Sequence, residues 1–263
     1  MAEFENLRLD NTDGLATITF NRPDRLNALN SGLKSDLLAA IRQIGKRHSG
    51  VRCLLLTGAG RAFCTGGDLA EGGLGGADAD AGATLIDGYH PILLELAALE
   101  MPIVAAVNGV AAGAGMSLAI AADIVIAAKS AYFLQAFVNI GLVPDAGSTY
   151  VLPRLIGDAR ARAMMILGEK ITAETAADWG MIHSVVDDET LMATAQETAH
   201  KLATGPTLAL SAIRKLMAST ATNGFAQQLQ AEAISQRMAS QTADCVEGVT
   251  AFVQKRKAVF KGQ

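Results

Sequence analysis

From residue 102 to residue 128 the chain is almost entirely apolar, and most of its side chains there are small. A stretch this long must either cross a lipid bilayer or lie at the centre of a folded core. Asn108, Gly109, Gly113, Gly115 and Asp123 interrupt it. A lipid-spanning helix does not carry a polar turn and an acid at that depth, because their polar groups would face hydrocarbon. The stretch therefore reads as buried soluble core. It contains a strand at Ile103–Val107, a turn at Asn108-Gly109, a helix from about 113 to 121 and a second strand at Ile124–Ala128.

The rest of the chain is organised around that core. Leu15–Phe20 alternates apolar residues with Thr in strand fashion, and Asn21-Arg22-Pro23-Asp24 ends it. Asn30 or Ser31 can cap a helix over 33–47, whose apolar residues recur every three or four positions. Residues 51–57 form a short β-like run, and a weaker one covers 131–133. Residues 71–83 are mostly Gly, Ala and Asp, which predicts a mobile loop, followed by a helix over 85–99. From 159 onward the pattern is helical, in segments at 159–167, 172–179, 190–202, 206–218 and 224–238. Alternating strands and helices followed by a strand-free helical tail predict an α/β layered core with a helical appendage.

Composition bounds the function. The 263 residues suffice for one large domain plus an appendage, and half are hydrophobic, as in a globular protein. A net charge of −4 supplies no basic surface for nucleic acid. Cys53, Cys64 and Cys245 are scattered, with no CxxC pair and no metal-ligand spacing, which suits buried thiols in a reducing cytoplasm. The opening residues show neither a basic segment nor an apolar one, so no secretory signal or membrane anchor is expected.

Two glycine-rich turns carry the chemistry. Residues 61–69 (RAFCTGGDL) follow the first buried strand run, and residues 108–115 (NGVAAGAG) follow Ile103–Val107. Small residues let a ligand approach the backbone, and a helix N-terminus leaves N–H groups free to point outward. Two such donors aimed at one oxygen form an oxyanion hole. Ordinary tight turns explain the same spacing. Neither turn is a nucleotide loop, since there is no GxxxxGK[ST] and no GxGxxG opening a helix.

With NRPDRLNAL at 21–29, IGLVPDAGSTYVLPRLIG at 140–157, Trp179-Gly180 and EGVTAFVQKRKAVF at 247–260, these turns make the chain resemble the enoyl-CoA hydratase/isomerase (crotonase) superfamily. The match runs through nearly the whole chain in order. The resemblance implies a core of stacked β-β-α turns over residues 1–200 that holds the coenzyme A site. It also implies a helical oligomerisation region at 201–263, with homotrimers that often pair into hexamers. It places the oxyanion donors on the backbone N–H groups of Gly67 and Ala114. Coenzyme A contacts would fall on Arg25, Leu26 and Ala28 and on Gly66, Asp68 and Leu69. Phe252 and Lys255 would help to close that site near a subunit boundary. No metal and no cofactor beyond the coenzyme A moiety of the substrate are implied.

The departures from the family pattern bear on the reaction. Hydratases of this family carry a catalytic Glu at the position of Ser117 and another at that of Phe137. Ser and Phe cannot activate water and return its proton, so simple hydration is disfavoured. One acid remains, Asp145, in Val143-Pro144-Asp145-Ala146-Gly147. Sequence alone favours a turn residue or a helix cap before a helix at 148–155. The same turn, with residues 179–196 and 202–210, resembles the ring-epoxide isomerase subgroup, in which this Asp is the acid/base. Phe137 then becomes an apolar wall of the acyl pocket.

The expected activity is therefore isomerisation of an acyl-CoA, by ring-epoxide opening or double-bond shift, in fatty acid or phenylacetate metabolism. Family dehalogenases of halobenzoyl-CoA offer an alternative, with Asp145 as nucleophile and His90 as base, although they carry Trp where this chain has Phe137. A lone His such as His90 is also explained by packing or surface exposure. A hydratase and a non-catalytic acyl-CoA binder are the remaining alternatives.

Overall fold

The computed structural model describes residues 4–46, 48–71 and 80–263. Strands β1 (Leu7–Thr12) and β2 (Leu15–Phe20) form an antiparallel hairpin. Its two-residue turn holds Asp13 at φ 52° and Gly14 at φ 81°, the mirror-image geometry that matches strand twist. Strands β3 (Cys53–Gly58), β5 (Ile103–Val107), β7 (Ile124–Ala128) and β10 (Ser184–Val186) extend this sheet in parallel, in the order β1-β2-β3-β5-β7-β10. All five residues of β5 are buried. Parallel strands covered on both faces read as unbroken apolar runs, which is why this part of the sequence resembles a membrane segment.

A second, four-stranded sheet has the order β4-β6-β8-β9. It consists of β4 (Ala62–Cys64), β6 (Val110–Ala112) and β8 (Tyr132–Leu134), which run parallel, and β9 (Lys170–Thr172), which is antiparallel to β8. Each of β3, β5 and β7 passes through a turn into β4, β6 or β8 and then into helix. This is the stacked β-β-α core that the sequence implied.

Helix α1 (Ser31–Ile44) starts where expected, with the Asn30 side chain accepting from Leu33 N–H at 2.8 Å. Its Leu33, Leu37, Ala40, Ile41 and Ile44 are buried as one stripe. The helix ends before the expected boundary, and Arg47 lies outside the described residues. Most of the loop predicted at 71–83 also lies outside them, at 72–79. Residues 81–83 belong to α2 (Ala81–Thr84), capped by Asp80, so the predicted loop is too long. The helix expected over 85–99 is a π turn at Leu85–Tyr89 followed by α3 (His90–Ala98).

Helix α4 (Ala114–Ile120) follows β6 and is buried along its whole length. Helix α5 (Ser148–Leu167) joins the two segments expected at 148–155 and 159–167, with a break at Gly157. The C-terminal third is not free of strands as the sequence suggested, because β9 and β10 lie in it. At three residues each, they are too short to impose a period of two on the helical pattern around them.

Helix α6 (Ala173–Asp178) precedes β10, and α7 (Leu191–Ala203) packs on β3 and β5. Helices α8 (Thr207–Ser219), α9 (Phe225–Ser240) and α10 (Ala243–Val253) complete the tail. Arg214 pairs with Asp123 and Arg52 donates to Thr207 at 2.8 Å, which fasten α8 to the core. Among the described residues no helix is long and apolar enough to cross a membrane.

Candidate active site

The two glycine turns meet. Leu29 N–H donates to the Gly66 carbonyl at 2.7 Å, and Asp68 N–H donates to the Leu29 carbonyl at 3.2 Å. In a parallel bridge of this kind the residue between them, Gly67, keeps its own N–H turned away from Leu29. Gly66 adopts φ 90°, and a Cβ there would lie 2.9 Å from the Ala112 oxygen and 3.3 Å from the Ala114 nitrogen. Only glycine permits that approach, which sets the first turn against the start of α4. Ala114 is the first residue of α4, where N–H groups have no partner within the helix.

Gly67 and Ala114 line one cavity of about 330 Å³, together with Gly66, Asp68, Leu69, Phe137 and Asp145. Arg25, Leu26, Ala28, His90, Ser117, Phe252 and Lys255 are not among its lining residues. Leu26 and Ala28 instead brace the turn. The Leu26 carbonyl accepts from Thr65 N–H at 3.2 Å, and the Ala28 carbonyl accepts from the Arg22 guanidinium. Arg25, Phe252 and Lys255 are exposed.

Asp145 is not the cap of α5. That position belongs to Gly147, in a left-handed conformation, and the Asp145 backbone carbonyl accepts from Ser148 N–H and Oγ at 3.0 and 2.9 Å. The Ser117 hydroxyl donates to the same carbonyl at 3.2 Å. The carboxylate is thus left for the cavity. Its Oδ1 is buried and has no hydrogen-bond partner. Burial pushes its pKa up to about 6, because a carboxylate loses hydration there without a compensating charge.

Among the described residues no group of three His, Cys, Asp or Glu side chains is placed to hold a metal. Cys53 and Cys64 are buried, and burial pushes each thiol up to about 12, whereas Cys245 is only half-buried.

Residues 10–263 match the enoyl-CoA hydratase/isomerase family. The chain belongs to it.

The 1,2-epoxyphenylacetyl-CoA isomerase of Escherichia coli K12 is 48% identical over 95% of this chain and 96% of its own length. A Rhodobacter capsulatus protein named "Probable enoyl-CoA hydratase" is 43% identical over 99% of both chains. A crystal structure of an enoyl-CoA hydratase/isomerase relative from Mycobacterium abscessus superposes with a TM-score of 0.94 at 40% identity, covering 98% of this chain and all of that one. The chain is therefore an enzyme of the acyl-CoA isomerase and hydratase class.

Two residues of this enoyl-CoA hydratase/isomerase site escape a reading of the sequence. Tyr89 lines the cavity, whereas its neighbour His90 is exposed. A regular helix over 85–99 gives no reason to prefer one over the other, and the π turn ending at Tyr89 changes the phase of the face by about 100° per inserted residue. Arg22 pairs with Asp68 at 2.9 Å and holds its carboxyl below the usual carboxylate range. Its place inside the 21–29 motif was the available signal.

Proposed function

We propose that this enzyme isomerises an acyl-CoA thioester by moving one proton between two carbons, with Asp145 as the single acid/base and the N–H groups of Gly67 and Ala114 as the oxyanion hole. The observation that carries the reading is the Asp145 carboxylate, half-desolvated and with Oδ1 unpartnered, in the same cavity as both donors. In its ionised form Asp145 takes a proton from the carbon next to the thioester carbonyl. The electrons move onto the carbonyl oxygen, where each N–H is worth about 3 kcal/mol to the developing enolate. Asp145 then returns the proton to a carbon further along the acyl group, and the carbonyl re-forms. No atom is gained or lost.

An unsaturated acyl group undergoes this shift directly. In a ring epoxide the same proton shift is joined to cleavage of the carbon–carbon bond that the epoxide shares with its ring, which takes the oxygen into the enlarged ring with no atom lost. The 48% identical 1,2-epoxyphenylacetyl-CoA isomerase favours this second substrate. Phe137 walls the cavity where a hydratase would carry a carboxylate. Halobenzoyl-CoA dehalogenation would need His90 as base, and its exposed position outside the cavity gives that reading no support. Residues 201–263 supply a homotrimer or hexamer contact in this reading. Exposed apolar side chains there include Phe225 and Phe252, and Phe252 and Lys255 would reach the coenzyme A of a neighbouring copy.

The test is turnover of a ring-epoxide and a β,γ-enoyl-CoA by the wild type and by Asp145→Asn. A loss of about 10³-fold or more with thioester binding retained is expected. Wild-type turnover in that variant would remove Asp145 from the mechanism.

A further inference from the structure

Tyr89 lines the cavity, with its hydroxyl at the oxyanion turn. Its ring is buried, and the Lys34 ammonium lies 4.9 Å from the ring centroid. A Cβ built on Gly67 would sit 3.0 Å from the Tyr89 hydroxyl oxygen, so the hydroxyl lies directly against the oxyanion turn. Among the described residues that hydroxyl has no hydrogen-bond partner. A tyrosine whose ring is packed in the core and whose hydroxyl faces a cavity presents a fixed hydrogen-bond donor to whatever fills that cavity. Tyr89 also closes the π turn Leu85–Tyr89, a distortion that helices retain mostly where a side chain must be re-aimed at a functional site.

The protonation state is also fixed. Burial raises the phenol well above its ordinary range, and the nearby Asp145 charge raises it further. The group is therefore a hydrogen-bond donor throughout the working pH range and is not a base. The reacting carbon lies between the oxyanion turn and the acid in the proposed mechanism, and Tyr89 borders that space from the side of Gly67. Apolar Phe137, Ile140 and Leu142 line the same cavity as the acid. A donor set against such a wall distinguishes an acyl group that carries an acceptor oxygen from one that is only hydrocarbon.

We infer that Tyr89 is a specificity residue whose hydroxyl donates to an oxygen atom carried by the acyl group, so that the site prefers oxygen-bearing acyl thioesters over hydrocarbon ones. This inference rests on the acyl-CoA isomerase reading and names the substrate class of the same site.

The test uses a matched pair of stable thioesters, cyclohexylacetyl-CoA and tetrahydropyran-2-ylacetyl-CoA, which differ by one ring CH₂ replaced by oxygen. Their dissociation constants are measured by calorimetry with the wild type and Tyr89→Phe. The wild type should bind the oxygen-bearing member about 3- to 10-fold more tightly, the scale of one neutral hydrogen bond made in place of one to water. Tyr89→Phe should lose that preference while keeping its affinity for the hydrocarbon member and its thermal midpoint. No preference in the wild type, or a preference that survives in Tyr89→Phe, overturns the inference. Equal weakening of both ligands in the variant also overturns it, since that marks a packing role. Failure of the isomerase reading is seen separately, as turnover that persists in Asp145→Asn.

Discussion

The Ser117 hydroxyl donates to the backbone carbonyl of Asp145 at 3.2 Å, and the same hydroxyl lies 3.3 Å from the Gly113 carbonyl. One buried side chain thus ties the turn that carries the acid to the first turn of α4, whose N-terminus supplies an oxyanion donor in the proposed mechanism. In the hydratase pattern this position bears a catalytic carboxylate. Here it holds the remaining carboxylate in place from behind. Ser117→Ala should cost about 1 kcal/mol of stability, because Ser148 still satisfies the Asp145 carbonyl. Turnover should fall by less than about tenfold, with no displacement of the pH profile. Thermal denaturation and steady-state kinetics check both, and a loss as large as that of Asp145→Asn would give Ser117 a chemical role.

In the proposed mechanism Asp145 sets the pH dependence. Its carboxyl must be ionised to accept a proton, and burial places its pKa at about 6. The kcat/KM of the wild type should therefore rise with pH and reach half its plateau near pH 6. Stability should move the other way. A carboxyl whose folded pKa lies above its ordinary 3.8 binds its proton more tightly when folded, so its contribution to stability falls as pH rises from about 4 to about 6. Asp145→Asn should flatten that slope and gain about 1 kcal/mol at pH 7, after allowance for partial exposure. Denaturant titrations at pH 4.5 and 7 measure the difference.

Much of this was legible in the residues. Leu15–Phe20, Ile103–Val107 and Ile124–Ala128 stand where their patterns placed them, since long buried strands dictate their own composition. The strands at β4, β6, β9 and β10 have three residues each, and their pairing depends on partners far away in sequence. The meeting of the two glycine turns followed from the family resemblance, but the contact that enforces it, Gly66 against Ala112 and Ala114, is a property of tertiary packing. Tyr89 was hidden because a single inserted residue in a helical turn leaves no mark on composition or period. Sequence alone offered His90 as the polar residue of that helix, and the π turn gave the cavity its neighbour instead.

Arg22 joins the two segments implied in coenzyme A binding, donating to Asp68 and to the Ala28 carbonyl. Both side chains of the pair are largely buried, at 17% and 12% exposure, so screening does not remove the interaction. Arg22→Ala leaves the Asp68 charge without its partner and should cost about 1–3 kcal/mol. Because the Asp68 carboxyl is held below its usual range, the stability it lends is present above the ordinary carboxylate pKa and is lost on acidification through its folded value. Arg22→Ala should abolish that component and raise KM for the thioester severalfold with a smaller effect on kcat. A variant that keeps wild-type KM would separate this clamp from coenzyme A binding.

Two glycines should fail in different ways. A Cβ on Gly115 would lie 2.3 Å from the Cys64 carbonyl oxygen, inside a helix that is buried along its whole length. The nearest atoms are backbone and cannot swing aside, so Gly115→Ala should disrupt packing between α4 and β4 and lower stability by about 1–3 kcal/mol or more, the range for overpacked cores. Gly66 poses a subtler problem, because its new Cβ would press on Ala112 and Ala114 at 2.9 and 3.3 Å while its φ of 90° also penalises any side chain. The turn can relax by opening toward the cavity, which moves Gly67 N–H away from Ala114 N–H. Gly66→Ala should therefore fold, with a lowered thermal midpoint, and lose about 10²-fold or more in kcat, the scale of one misplaced oxyanion donor. Comparing soluble yield, thermal midpoint and kcat for the two variants checks the distinction. If Gly66→Ala kept full turnover, the convergence of the two donors would not depend on this contact.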